Sequence, residues 1–258
     1  MENKKLSVAQ YQALTHSKQI HIVFDLLIWL PWFVMAAWAV TMNYWALAIT
    51  GWFFFFLTGL RQAHEAFHRT MGIHPPLNNF ILLILSPLML TCLHATRYIH
   101  LRHHKYCLQQ NDIEGEAARK SAIRAIIEGP LYPIKTHIAA WRSAGKHTRF
   151  WMSCEGAAIV IFYSFGIIFF TKFAIAHLIA MIVGEWVVSF FAVWMVHRNC
   201  ENQSNPARTI RRKWKALLSY SMFYHYEHHA YPRVPTRNLN KLANLLDEHS
   251  AYRPPIAF

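Results

Sequence analysis

"AIAHLIAMIVGEWVVSFFAVWMV", residues 174–196, is apolar for longer than a helix needs to cross a bilayer core, and it runs straight into His197. About 20 apolar residues suffice for a span; here the only ionisable side chains within the run are His177 and Glu185. An acid at that depth is a functional-site candidate, weighed against a hydrogen-bonded packing role. Working outward, residues 151–170 read as the preceding span, joined to this one by a short turn that holds Lys172. "IVFDLLIWLPWFVMAAWAV" (22–40) and "YWALAITGWFFFFLTGL" (44–60) read as two more. With 54% hydrophobic and 15% aromatic residues, the composition agrees with an all-α integral membrane protein rather than a soluble domain.

The first apolar run is longer than a signal-peptide core and no small-residue cleavage pattern follows it, so it is expected to stay in the chain. Cys92, Cys107, Cys154 and Cys200 show no C-x-x-C spacing, which argues against both a disulfide scaffold and a thiolate metal site. Positive charge gives the orientation. Residues 97–149 carry 10 Lys and Arg, residues 198–253 another 10, and the turn at 41–43 none. Both short turns therefore face outward and the rest faces the cytosol. The net charge of +13 is thus one-sided, and a nucleic-acid partner is not needed to explain it. "NNFILLILSPLMLTCL" (78–93) is apolar but short and contains Pro87. It reads as a re-entrant or interfacial hairpin that leaves and returns on the cytosolic side.

Histidine marks the cytosolic face. "HLRHH" (100–104) and "HYEHH" (225–229) share one pattern, and "HEAFH" (64–68) adds a close pair. Random placement of 17 histidines gives roughly 0.07 copies of H-x-x-H-H, so two copies call for a physical cause. Steps of three and four residues put each cluster on one helix face. Neutral imidazole is the commonest side-chain metal ligand. Eight such ligands exceed one four-coordinate zinc and suit two iron ions that keep positions open for dioxygen. His16, His21, His74, His94, His137, His147, His177 and His249 read as ordinary surface or packing residues.

Three rival chemistries were weighed. "HEAFH" fits the H-E-x-x-H zinc-peptidase pattern with Glu65 as general base, but this leaves both H-x-x-H-H clusters unexplained. A carboxylate di-iron bundle requires a second E-x-x-H, which the chain lacks. A metal transporter would need ligands at membrane depth, where Asp25, Glu155 and Glu185 are the only acids.

The three boxes, in this order and with spans between the second and third, resemble the membrane fatty acid desaturase superfamily, which includes fatty acid hydroxylases and carotenoid ketolases and hydroxylases. "HYEHHAYPRVPTRNLNKL" looks like the third-box region of acyl-lipid desaturases. The resemblance runs from about residue 50 to 246. It implies nine iron ligands: His64, His68, His100, His103, His104, His197, His225, His228 and His229. His197 begins an "HR" pair that matches carotenoid ketolases, whereas other branches use an asparagine here, so Asn199 is an alternative or additional ligand. The resemblance also implies dioxygen as co-substrate and a lipid or fatty acyl substrate from the bilayer. No haem-binding H-P-G-G motif is present, so electrons are expected from a separate donor of ferredoxin or cytochrome b5 type.

Glu65, Glu227, Asp112 and Glu114 are candidates to orient the imidazoles, with solvated charge as the alternative. "ARTIRRKWK" (207–215) could steer an acidic donor, but anchoring to lipid headgroups through Arg and Trp214 is favoured. A lipid substrate calls for an apolar tunnel near the irons, for which Phe53 to Phe56 are candidates. The expected architecture is one domain, residues 1–258. It has four transmembrane helices, the hairpin at 78–93, and a cytosolic helical cap (97–149 and 197–258) carrying the histidines. The expected activity is O2-dependent fatty acyl desaturation at the cytosolic face of a membrane, of bacterial inner-membrane type, with hydroxylation or ketolation as the alternative.

Overall fold

Each apolar run becomes a helix, and the polar residues between them decide where each helix stops. In the computed structural model, residues 6–201, 205–249 and 254–257 are described. Lys4, Lys5 and Arg253 of the charge count, and the side chain of His249, lie outside them. Among the described residues there is no strand, only an isolated bridge between Thr209 and Ile256. Ser7 and Gln10 form a capping box that starts α1 (Val8–Thr15). The first apolar run folds as α2 (Gln19–Leu27) and α3 (Leu30–Thr41). Pro31 sits in the first turn of α3, where its missing N–H leaves nothing unpaired.

Asn43 turns the chain at φ 61°, a left-handed conformation asparagine tolerates, and α4 (Trp45–His68) returns along α3. The two helices meet through small residues: Ala36, Ala39 and Ala48 are fully buried. A Cβ on Gly51 would lie 2.9 Å from that of Ala36. Such close approach supplies the dispersion contacts that hold helices together where no hydrophobic force acts between them. Among the described residues, three stretches are long and apolar enough to cross a membrane: Gln19–Thr41, Lys146–Phe169 and Thr171–His197. The second expected span, in α4, falls short by that measure because its apolar run ends at Leu60. The same helix continues through Arg61, Gln62, His64 and Glu65 to His68.

Apolar α5 (Pro75–Met89) has 15 residues, and α6 (Leu93–Tyr106) sets off from it at 110°. A bend in apolar surroundings strands backbone groups that water cannot satisfy. Side chains satisfy them here. The N–H of Cys92 donates to His137 Nε2 (3.0 Å), that of Leu93 to Ser86 Oγ (3.2 Å), and that of His94 to Glu155 Oε2 (3.1 Å). His94 also donates from Nδ1 to Glu155 (2.7 Å), and His177 donates to the Leu88 carbonyl (2.9 Å). Three histidines taken as packing residues thus serve one bend, and Glu155 serves it with them.

A 3-10 turn (Glu114–Arg119), α7 (Ala122–Ile127) and α8 (Leu131–Ser143) lead to α9 (Lys146–Phe169) and α10 (Thr171–Val188). The last run then loosens into a π segment, Ser189–Trp194, before α11 (Met195–His197). Short α12 (Lys213–Leu218), α13 (His225–Ala230) and amphipathic α14 (Leu239–His249) finish the chain. A buried charge cluster ties this C-terminal part to the spans. Asp25, fully buried on α2, accepts from Arg61 of α4 (2.9 Å) and pairs with Arg237. Removing a partner from a buried pair leaves uncompensated charge. Asp25→Ala is therefore expected to destabilise the protein by about 3–5 kcal/mol, read as a lower unfolding midpoint in fixed detergent; an unchanged midpoint would contradict this role.

Candidate metal centre

Four separate helices deliver the nine expected histidines to one place. His64 and His68 lie one turn apart at the end of α4, and α6 presents His100, His103 and His104. His197 ends α11, and His225, His228 and His229 come from α13. In one group, ligand atoms of His64, His68, His100, His104 and His228 all lie within 4.8 Å of one another. His103, Cys107, His197 and His229 form a second such group. His225 joins the second, its Nε2 2.8 Å from that of His197. Since His68 and His100 approach to 3.0 Å, α5 does not put a bilayer between the first two boxes.

Carboxylates set the orientation of two rings. His100 donates from Nδ1 to Glu114 (2.8 Å) and His103 from Nδ1 to Asp112 (2.8 Å). His197 donates from Nδ1 to the carbonyl of Pro206 (2.5 Å). Each ring so fixed turns its Nε2 inward. Asp112 is itself held by the backbone N–H groups of Leu108 (2.8 Å) and Gly115 (3.0 Å). A Cβ on Gly115 would run into that carboxylate, so glycine keeps the turn open. Burial works against the Asp112 charge, yet His103 and the two N–H groups hold its carboxyl below the usual range.

Burial, and then neighbouring imidazoles, push His104, His225, His228 and His229 below the ordinary histidine range, which favours the neutral, ligating form. His103 differs: burial lowers it, but the Glu114 charge and the Asp112 hydrogen bond outweigh that and raise it. Among the described residues, the buried Nε2 of His229 has no hydrogen-bond partner. Inward-facing lone pairs at about 3 Å, with a buried nitrogen left over, are the donor set a pair of cations would satisfy.

The other two acidic candidates act differently. Glu65 accepts from the Thr70 hydroxyl and from the Thr236 N–H (2.5 Å). Glu227 accepts from Thr209 (2.7 Å) and Arg211 (2.8 Å). They tie together the segments around the boxes and, among the described contacts, bond to no imidazole in the cluster. Glu65, 1% exposed and fully engaged, is poorly placed for a peptidase base. Asn199 is exposed in a left-handed turn (φ 56°), whereas His197 is buried in the cluster.

Cys107, which the cysteine spacing argued against as a thiolate ligand, caps α6 four residues beyond His103 and joins the second group. Its Sγ is 3.6 Å from His103 Nε2, but burial raises its thiol above the usual range, which disfavours a thiolate. A narrow cleft of about 30 Å³ reaches the cluster through Glu114. Glu114 lines it beside Leu60, Ile99, Tyr132 and Glu185. Of the four phenylalanines expected there, Phe53 is 62% exposed and Phe55 is core, and none lines the cleft.

Neither the curated proteins nor the solved structures gave a match to this chain. The family model described as fatty acid desaturase matches residues 39–256. A match over that share of the chain, with its histidines gathered as described, establishes that the protein belongs to the fatty acid desaturase family.

Proposed function

We propose that the chain holds two iron ions among its nine clustered histidines and desaturates a fatty acyl chain taken from the bilayer. The observation that carries this is the convergence of bare imidazole nitrogens whose outer nitrogens are already engaged. His64, His68, His100, His104 and His228 would hold one ion, and His103, His197, His225 and His229 the other. Iron bound there supplies the activation of dioxygen needed to remove hydrogen from an unactivated C–H bond.

The protein's own part is positioning. Glu114 and Asp112 fix His100 and His103, so the donor geometry is set before any ion arrives. The narrow, mainly apolar cleft between α6, α8 and α10 would widen to admit the acyl chain and bring its oxidised carbon beside Glu114, the partner of His100. Four spans with the cluster on the cytosolic side agree with the charge distribution and let a separate electron donor reach the site. On α12, Trp214 and Leu217 are exposed next to Lys213, which suits the lipid-anchoring role of this basic segment.

A hydroxylase or ketolase outcome differs in where the substrate carbon lies relative to the site. The His197–Arg198 pair is the observation in its favour. Arg198, however, donates to the carbonyls of Met195 (2.6 Å) and Ala257 (2.5 Å), a structural use that needs no particular reaction.

Lipid analysis after expression in a host lacking the activity should show a new double bond in acyl chains; a new hydroxyl or ketone instead would overturn desaturation. Asp112→Asn keeps the size of the side chain but loses the charge that holds His103. It should lower metal affinity or activity by about 10- to 100-fold without changing helical content by circular dichroism, and full retention of both would contradict the positioning role.

A further inference from the structure

Helices α7 and α8, expected in the cytosolic cap, present an apolar face that no described residue covers. Ile123 is 71% exposed, Ile127 68%, Ile134 55%, Ile138 47% and Trp141 49%. On α8 the exposed residues Leu131, Ile134, Ile138 and Trp141 recur at steps of three and four, which makes one helix face. The opposite face buries Thr136 and Ala140, and its Tyr132 and His137 line the cleft beside the metal centre. An apolar stripe of this length on a water-facing surface is rare without a partner.

The partner follows from where the helices rest. Trp186 of α10 donates to the carbonyl of Ile126 (2.7 Å), and Ser189 donates to that of Ala125 (3.2 Å). Gly129 lies so close to the Trp186 carbonyl that a Cβ would not fit. Trp186 precedes His197 by about 16 Å of helix at 1.5 Å per residue. These contacts therefore fall inside the apolar Thr171–His197 segment, beside Ile182 and Val183, which are half exposed on the same span.

Charge points the same way. Lys120 pairs with Glu116 (2.6 Å) and Glu128 (2.5 Å), Arg124 with Glu128 (2.5 Å), and Lys135 with Glu116 (3.0 Å). These three cations share two carboxylates, so the flank keeps only a small positive excess, suited to phospholipid headgroups and weak for steering an acidic protein.

We propose that α7 and α8 lie in the headgroup–acyl boundary of a phospholipid bilayer, with the Ile123–Trp141 stripe immersed in acyl chains. They form an in-plane anchor, and α8 is the wall between the bilayer and the cleft. This rests on the membrane spans and is independent of which metal the histidines hold.

The test uses the full chain in phosphatidylcholine nanodiscs with a nitroxide at Ile134→Cys or Ile138→Cys, both exposed sites where a label is tolerated. Gln110→Cys, exposed in the loop after α6, is the aqueous control, and the labelled unsubstituted protein gives the background of native cysteines. Collisions with oxygen should exceed those with a nickel chelate severalfold at 134 and 138, with the order reversed at 110. Nickel access at 134 and 138 equal to that at 110 would overturn the proposal. So would shielding from both reagents, which would mean that a second copy or another protein covers the stripe.

Discussion

Everything in this molecule is arranged around nitrogen lone pairs that face one another at about 3 Å in a buried space. Left alone, those imidazoles repel and lose their hydrogen bonds to water, an unfavourable combination for a protein interior. Carboxylates at Asp112 and Glu114 and the carbonyl of Pro206 nevertheless lock three of the rings inward. The fold thus spends stability on a constellation that makes physical sense around cations. Its other features serve to bring α4, α6, α11 and α13 to that point.

The α5–α6 bend shows how apolar surroundings constrain the result. A 110° turn there exposes amides and carbonyls with no water to receive them. His137, Glu155 and His177 from neighbouring helices, with Ser86 of α5 itself, take up those groups. The bend in turn delivers the second histidine box to the side where α4 ends. The Asp25 pairs with Arg61 and Arg237 perform a similar task, fastening the C-terminal segment that carries the third box to α2 and α4.

Much of this was legible in the residues because two periodicities are strong: long apolar runs for spans, and histidines at steps of three and four for a ligating face. His197 was found through its "HR" pair, and the cluster takes it in while leaving Asn199 exposed. What the residues did not reveal depends on tertiary contact. No local signal separates Asp112 and Glu114, which hold imidazoles, from Glu65 and Glu227, which tie neighbouring segments together. Likewise, the histidines of the bend look like any isolated histidine until their partners arrive from other helices. The exposed apolar face of α8 is equally hard to read from residues 97–149, where ten Lys and Arg dominate, because its packing against Trp186 is a tertiary contact.

Metal analysis of the purified full-length protein tests the central claim most directly, with iron and zinc counted per chain in one sample. The account predicts about two irons per chain, since five and four histidines form two donor groups, each able to keep a position open for dioxygen. About one zinc with little iron would contradict it, and would leave most of the converging nitrogens without a purpose.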